Sequence, residues 1–145
     1  MQSGEFNPCT LVPNVPVSIQ TKEGDMWTPR NSGDYREGEM IPLREALAHS
    51  LNQVSAYLMK RFGPAAVIQL VRAMGMTSPI PSVPSICLGA CELSLYEQVG
   101  AINCFPNQGV YVQPTFIIRI CDKDGNIIMR NVPKTNEALD PITAF

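Results

Sequence analysis

A chain of 145 residues in which 45% of the side chains are hydrophobic and 17% charged is the size of one domain and can bury a core, which argues against disorder. A formal net charge of -2, with Lys60-Arg61 as the only adjacent basic pair, provides no field for phosphate backbones, so nucleic acid is not an expected partner. No uncharged apolar run approaches the roughly 18 residues of a spanning helix, and the stretch from Met1 to Phe6 lacks the basic and apolar regions of a signal peptide, so any targeting signal or anchor is expected outside this chain.

In chain order, residues 1–38 read as mostly irregular. Pro8, Pro13, Pro16 and Pro29 interrupt them, and one short β-like patch lies at Val15–Ile19. From Pro42 to Phe62, Leu43, Ala46, Leu47, Leu51, Val54, Leu58 and Phe62 recur at intervals of three and four, the period of a helix, with Gly63 as a stop. Pro64 opens a second helix with Val67, Ile68, Val71 and Met74 on one stripe and Gly75 past its end. Thr77–Pro84 is a proline-rich connection. Ser94 and Glu97 form a capping box that starts a third helix, expected over about Leu95–Phe105.

Beyond Gly109 the pattern becomes strand-like: Thr115–Cys121 and Asn126–Met129 flank Asp122–Gly125, which carries the turn residues of a hairpin. Residues 131–145 form a polar tail that turns apolar at Leu139 and ends as a further helix begins. The five cysteines, Cys9, Cys87, Cys91, Cys104 and Cys121, are odd in number and irregular in spacing, so buried free thiols are expected over a disulfide framework.

Ser50-Leu51-Asn52 is weak evidence of a site by itself, but its surroundings are specific. Trp27–Asn31, Gly38–Asn52, Phe62–Ile68 and Met74–Pro79, followed by Pro84–Gly89, Leu93–Ala101, Gly109–Pro114 and the Ile120–Ile127 hairpin, closely resemble in order the transpeptidase domain of class A penicillin-binding proteins. The resemblance covers about residues 7–130. It implies an α+β fold, of which this chain would supply mainly a helical lobe and a peripheral β-hairpin within one incomplete domain over residues 1–145.

The family uses three motifs, Ser-x-x-Lys, Ser-x-Asn and Lys-Thr-Gly. Carried over by resemblance, Ser50 is expected to relay a proton between the first-motif lysine and the leaving group, and Asn52 to hold the amide carbonyl of a peptidoglycan stem peptide or a β-lactam. Both residue types suit these roles, since a hydroxyl donates and accepts at once and a carboxamide orients a peptide without titrating. On an unbroken helix Ser50 and Asn52 would point about 200° apart, so a shared site requires the helix to break near His49–Asn52. Without such a break, Ser50 would sit in the buried row and Asn52 would be solvated.

No serine in the chain is followed three residues later by lysine, so the chain contains no nucleophile motif. In the family that motif precedes Ser-x-Asn and is expected before residue 1. Lys134-Thr135 is followed by Asn136 instead of glycine and preceded by Pro133, and it reads as a polar loop, with the true Lys-Thr-Gly expected beyond Phe145.

No metal site or cofactor is expected. Cys87 and Cys91 have no second pair, His49 is the sole histidine, and Asp122-x-Asp124-x-Asn126 lacks both the glycine and the closing glutamate of a calcium loop. The resemblance implies a cell-wall cross-linking parent with a glycosyltransferase domain, anchored on the periplasmic face of a bacterial inner membrane. The isolated section is expected to be inactive, with an exposed apolar patch and a tendency to associate. The alternative is a non-catalytic helical interaction module derived from the same fold.

Overall fold

The computed structural model describes residues 4–144, so residues 1–3 and residue 145, the ends of the single-domain reading, lie outside the described residues. The chain divides into two compact units, one running up to Gln69 together with Pro79–Glu92, the other made of Leu70–Ser78 and the chain from Leu93.

In the first unit, β1 (Leu11–Pro13) pairs antiparallel with β4 (Met40–Pro42), in a register that sets Val12 opposite Ile41. Both side chains are buried and form a cluster with Ala46, Leu51 and Val54, against which Phe6, Leu43 and Tyr57 pack. Burying side chains such as Ile41 and Val12 contributes about 1.5–3 kcal/mol each. A second short ladder joins β2 (Ile19–Gln20) to β3 (Met26–Trp27). β1 falls in the stretch read as irregular because its partner β4 lies far downstream, whereas β2 and β3 form a local hairpin of strands too short to show an alternating pattern.

Helix α1 (Leu43–Ala48) starts after Pro42, whose extended backbone serves as the N-cap. Its first free amides are satisfied by backbone carbonyls, Leu43 N–H donating to Thr10 at 3.0 Å and Arg44 N–H to Pro8 at 2.9 Å. The helix stops after six residues. Ser50 adopts φ 52°, its N–H donates to Leu47 O at 3.1 Å, and the Leu51 N–H reaches back to Ala46 O at 3.0 Å. That is the bonding pattern of a Schellman turn, with serine in the left-handed position where glycine is usual.

The contact between Ala46 and Leu51 in the buried cluster completes the motif. The turn also shifts the phase of the apolar row read from Leu43 to Phe62. Leu47 is 84% exposed, whereas Leu51 and Val54 are buried.

Helix α2 (Asn52–Ala73) is bent at Gly63, whose φ of 77° and ψ of 162° are not helical, with Pro64 unable to donate the next backbone bond. The stop at Gly63 and the restart at Pro64 are thus both present. A 3-10 turn at Pro84–Leu88 lies within the proline-rich connection.

In the second unit, α2 ends in another Schellman turn, Gly75 N–H donating to Arg72 O and Met76 N–H to Val71 O, both at 3.1 Å. Gly75 has φ 89°, and a Cβ there would fall inside the Tyr111 ring, so both conformation and packing require glycine. Helix α3 (Leu95–Ile102) carries the full capping box of Ser94 and Glu97 and ends about a turn before Phe105. Its buried residues Ala101 and the adjacent Cys104 join Met74, Ala138 and Leu139 in this unit's core.

Strand β5 (Val110–Val112) pairs with β8 (Thr135–Glu137), and β6 (Arg119–Cys121) with β7 (Ile127–Arg130), all antiparallel. The bonds Gln113 N–H to Lys134 O at 2.8 Å and Asn131 N–H to Ile118 O at 2.9 Å extend the two ladders toward each other along one two-stranded ribbon. The hairpin at Asp122–Gly125 is present. The stretch around Lys134-Thr135 is a correction, since Thr135–Glu137 is strand and not loop. Its side chains are polar and exposed, and only pairing with β5, more than twenty residues upstream, orders it. A short terminal helix, α4 (Pro141–Ala144), follows.

The cysteines bring a second correction. All five are free, but only Cys104 is buried, while Cys87 and Cys91 are half-buried and Cys9 and Cys121 exposed. Cys9 and Cys121 lie on a turn and a hairpin with nothing packed over them.

Candidate functional site

The candidate site is the α1–α2 junction in the first unit. Ser50 is the left-handed residue of the turn, exposed, and its hydroxyl makes no hydrogen bond among the described residues. Asn52 begins α2 and is half-buried. The break places the two residues on separate elements and so removes the opposition that a continuous helix would impose.

Asn52 is oriented by one bond. Its Nδ2 donates to the Arg30 carbonyl at 2.8 Å, which settles the amide's orientation, because the flipped form would set oxygen against oxygen. A carboxamide carries two N–H donors and an acceptor oxygen. One donor is engaged, so a second donor and Oδ1 remain for a ligand.

Beneath this junction lies a polar network. Asn14, 0% exposed, donates from Nδ2 to the Tyr35 and Arg36 carbonyls at 2.8 and 3.0 Å. Its Oδ1 accepts from Asn31 Nδ2 at 2.9 Å, and Asn31 Oδ1 in turn accepts the Gln53 backbone N–H at 3.0 Å. Gln53, 1% exposed, donates from Nε2 to Glu37 Oε1 at 2.9 Å, while its buried Oε1 accepts no hydrogen bond from the described residues. Two consecutive residues, Arg30 and Asn31, thereby hold two consecutive residues, Asn52 and Gln53, at the start of α2.

The flank of the junction is charged. His49, the C-cap of α1, stacks on Tyr35 with ring centroids 3.8 Å apart and planes at 16°. Glu45 Oε1 accepts from the Tyr35 hydroxyl at 2.9 Å and from Arg36 Nη1 at 2.7 Å, and Arg36 Nε donates to Glu39 at 2.8 Å. The Arg36 guanidinium, and after it the Tyr35 hydroxyl, holds the Glu45 carboxyl below its usual range, and the same bond from Glu45 raises the Tyr35 hydroxyl. These residues tie α1 to the loop that precedes β4.

The sequence singles out Ser50 and Asn52 as candidates but does not mark Arg30, Asn31, Asn14 and Gln53, which surround them in the hydrogen-bond network. The one available signal was the Trp27–Asn31 block, whose asparagine has no periodic or motif pattern to mark it as a brace. Among the described residues no group of three or more His, Cys, Asp or Glu is placed to hold a metal ion. Asp122 Oδ1 accepts from the backbone N–H groups of Asp124 and Asn126, and Oδ2 accepts from the Asn126 side chain, so its carboxylate organises the hairpin turn.

No family model matches the sequence. The chain is 30% identical over 142 residues to penicillin-binding protein 1B of Haemophilus influenzae, a match covering 97% of this chain and 18% of that protein. It is 30% identical over 146 residues to penicillin-binding protein 2D of Bacillus subtilis, covering 100% of this chain and 21% of that protein. The chain thus spans about a fifth of the length of these curated relatives. Its fold superposes with a TM-score of 0.77 on penicillin-binding protein A of M. tuberculosis, solved as a penicillin G acyl-enzyme complex, at 18% identity over 98% of this chain and 38% of that one. Over nearly its whole length this chain is similar in sequence to a segment of penicillin-binding proteins, and it shares its fold with part of a solved penicillin-binding protein.

Proposed function

We propose that the chain supplies the Ser-x-Asn wall of a serine D,D-transpeptidase site that cross-links peptidoglycan stem peptides and is acylated by β-lactams. The observation that carries this reading is the interruption of the helix at Ser50, with the Asn52 carboxamide braced by Arg30 and left with a donor and an acceptor free. In the reaction, a serine hydroxyl from the first motif attacks the stem-peptide carbonyl, the terminal D-alanine leaves with a proton, and the acyl-enzyme passes its acyl group to the amine of a second stem peptide. Ser50 relays the proton to the departing amine, and Asn52 donates to the amide carbonyl of the bound peptide. The parent protein would also carry a glycosyltransferase domain and act on the outer side of the cytoplasmic membrane.

The residues of this chain include no Ser-x-x-Lys, so by itself it forms no acyl-enzyme. Incubation with a labelled penicillin followed by intact-mass analysis is expected to show no covalent adduct. A stable penicilloyl group on Ser50 would overturn the assignment of Ser50 as a relay.

A second reading, a helical interaction module, draws on the outer side of α3, where Leu95, Val99 and Ile102 are all exposed. Reading the gene on either side of this segment separates the two. Flanking Ser-x-x-Lys and Lys-Thr-Gly motifs support the enzyme, and their absence the module.

A further inference from the structure

Arg30 and Asn31, which hold the start of α2, lie in no strand, and neither makes a backbone–backbone hydrogen bond among the described residues. No ladder therefore sets where the Arg30 carbonyl points, and side-chain bonds have to do so. Their anchor is Asn14, 0% exposed, whose backbone N–H donates to Glu39 O at 2.9 Å and whose carbonyl accepts from Gly38 N–H at 2.8 Å. Its side-chain nitrogen donates to two carbonyls, those of Tyr35 at 2.8 Å and Arg36 at 3.0 Å, so a flipped amide would set oxygen against two oxygens. Oδ1 of Asn14 is thereby forced to face Asn31 as an acceptor.

That polarity passes from one amide to the next. Asn31 turns Nδ2 toward Asn14 Oδ1 at 2.9 Å and so presents its own Oδ1 to the Gln53 backbone N–H at 3.0 Å. The two contacts need a donor and an acceptor on one short planar group, which a carboxamide supplies and an ionised carboxylate of the same shape does not. Held at both ends, the Asn31 side chain restrains its own Cα, and because the peptide unit joining residues 30 and 31 is planar it also restrains the Arg30 carbonyl. Asn52 Nδ2 donates to that carbonyl at 2.8 Å. The residues on either side of Asn52 are tied as well, Leu51 N–H to Ala46 O at 3.0 Å and Gln53 Nε2 to Glu37 Oε1 at 2.9 Å.

From this we propose that Asn31 is a positioning residue of the Ser-x-Asn element: its amide, oriented by Asn14, sets the direction in which Asn52 presents its remaining donor and acceptor to the amide of a ligand. Asn31 acts through the Arg30 carbonyl and the Gln53 backbone amide, not by touching the ligand. The consequence for acylation rests on the transpeptidase reading, whereas the ordering of Asn52 does not.

Two measurements test it. On this chain, NMR relaxation of the Asn52 side-chain amide is expected to show a rigid group that becomes flexible in Asn31→Asp, which keeps the acceptor but loses the donor, and in Asn31→Ala, which loses both. Ile41→Val, a loss of buried volume in the same unit, is expected to lower the melting temperature and leave Asn52 rigid. In the parent protein, acylation by a labelled penicillin is expected to slow roughly tenfold in either Asn31 variant and to be unchanged in Ile41→Val. In an Asn52→Ala background the Asn31 variants are expected to slow acylation no further, because their effect passes through Asn52. An Asn52 amide as rigid in both Asn31 variants as in the unaltered chain would overturn the proposal. So would a loss of acylation that adds to that of Asn52→Ala, or no loss where Asn52→Ala shows one. Undiminished acylation in Asn52→Ala would instead overturn the transpeptidase reading, since Asn52 would then hold no part of the ligand.

Discussion

The Asn52 side-chain amide and the Arg30 carbonyl lie 2.8 Å apart, joining two segments twenty-two residues apart in sequence. Next to this bond, the Asn31 side-chain oxygen accepts the Gln53 backbone amide at 3.0 Å, so the first turn of α2 is held at two consecutive positions by two consecutive residues. The Asn31 bond satisfies one of the first amides of α2, which would otherwise need water right after a sharp turn, and the Arg30 bond anchors the side chain of the helix's first residue. It also fixes the direction in which Asn52 offers its remaining donor.

The turn itself makes the first prediction. A non-glycine residue at φ 52° is strained, and Ser50 makes no side-chain bond among the described residues to offset that strain. Ser50→Gly is therefore expected to stabilise the chain by about 0.5–1 kcal/mol in urea unfolding, while removing the hydroxyl proposed as the proton relay. A loss of stability would show that the serine side chain supports the turn.

Asn14 makes the second. It is fully buried, and it satisfies the Tyr35 and Arg36 carbonyls together with Asn31. Asn14→Leu matches its shape but leaves those groups unpaired, and is expected to cost roughly 2–3 kcal/mol, measurable by denaturant titration. An effect under a few tenths of a kcal/mol would mean the network contributes nothing to stability.

The third concerns acid. The Glu97 carboxylate accepts from the Ser78 hydroxyl at 2.6 Å, from the backbone N–H groups of Thr77 and Ser78 at 2.7 Å each, and from the Ser94 hydroxyl at 2.9 Å. The Ser78 hydroxyl first, then the Thr77 and Ser78 amides, hold it far below the ordinary value of 4.5. Because the folded value is the lower one, the stability it contributes is complete above the unfolded value and is lost as pH falls below about 4.5 toward the folded value. Glu97→Gln is expected to lower the melting temperature at neutral pH and to flatten the fall in acid. An unchanged acid limb in the variant would remove Glu97 as its source.

The helices were legible because their signals are local. Pro42, Gly63, Pro64, Gly75 and the Ser94–Glu97 capping box each act within one turn, through fixed dihedrals or short hydrogen bonds, and the structure places a helix start, kink or end at every one. The hairpin at Asp122–Gly125 was legible for the same reason. The break at Ser50 was not visible in the hydrophobic period, which runs smoothly through it. It followed from the resemblance and from the requirement that Ser50 and Asn52 serve one site.

Strands β1 and β8 and the asparagine brace lay beyond local reading. Val12 finds Ile41, Tyr111 finds Asn136, and Asn31 finds Gln53 across separations at which neighbouring residues carry no information about the partner. Local chemistry thus determined where the helices begin and end, apart from the break at Ser50. Chain folding decided that Asn52 is braced by Arg30, that Leu47 faces solvent and that Thr135–Glu137 is a strand, because long-range hydrogen bonds and burial depend on which surfaces meet.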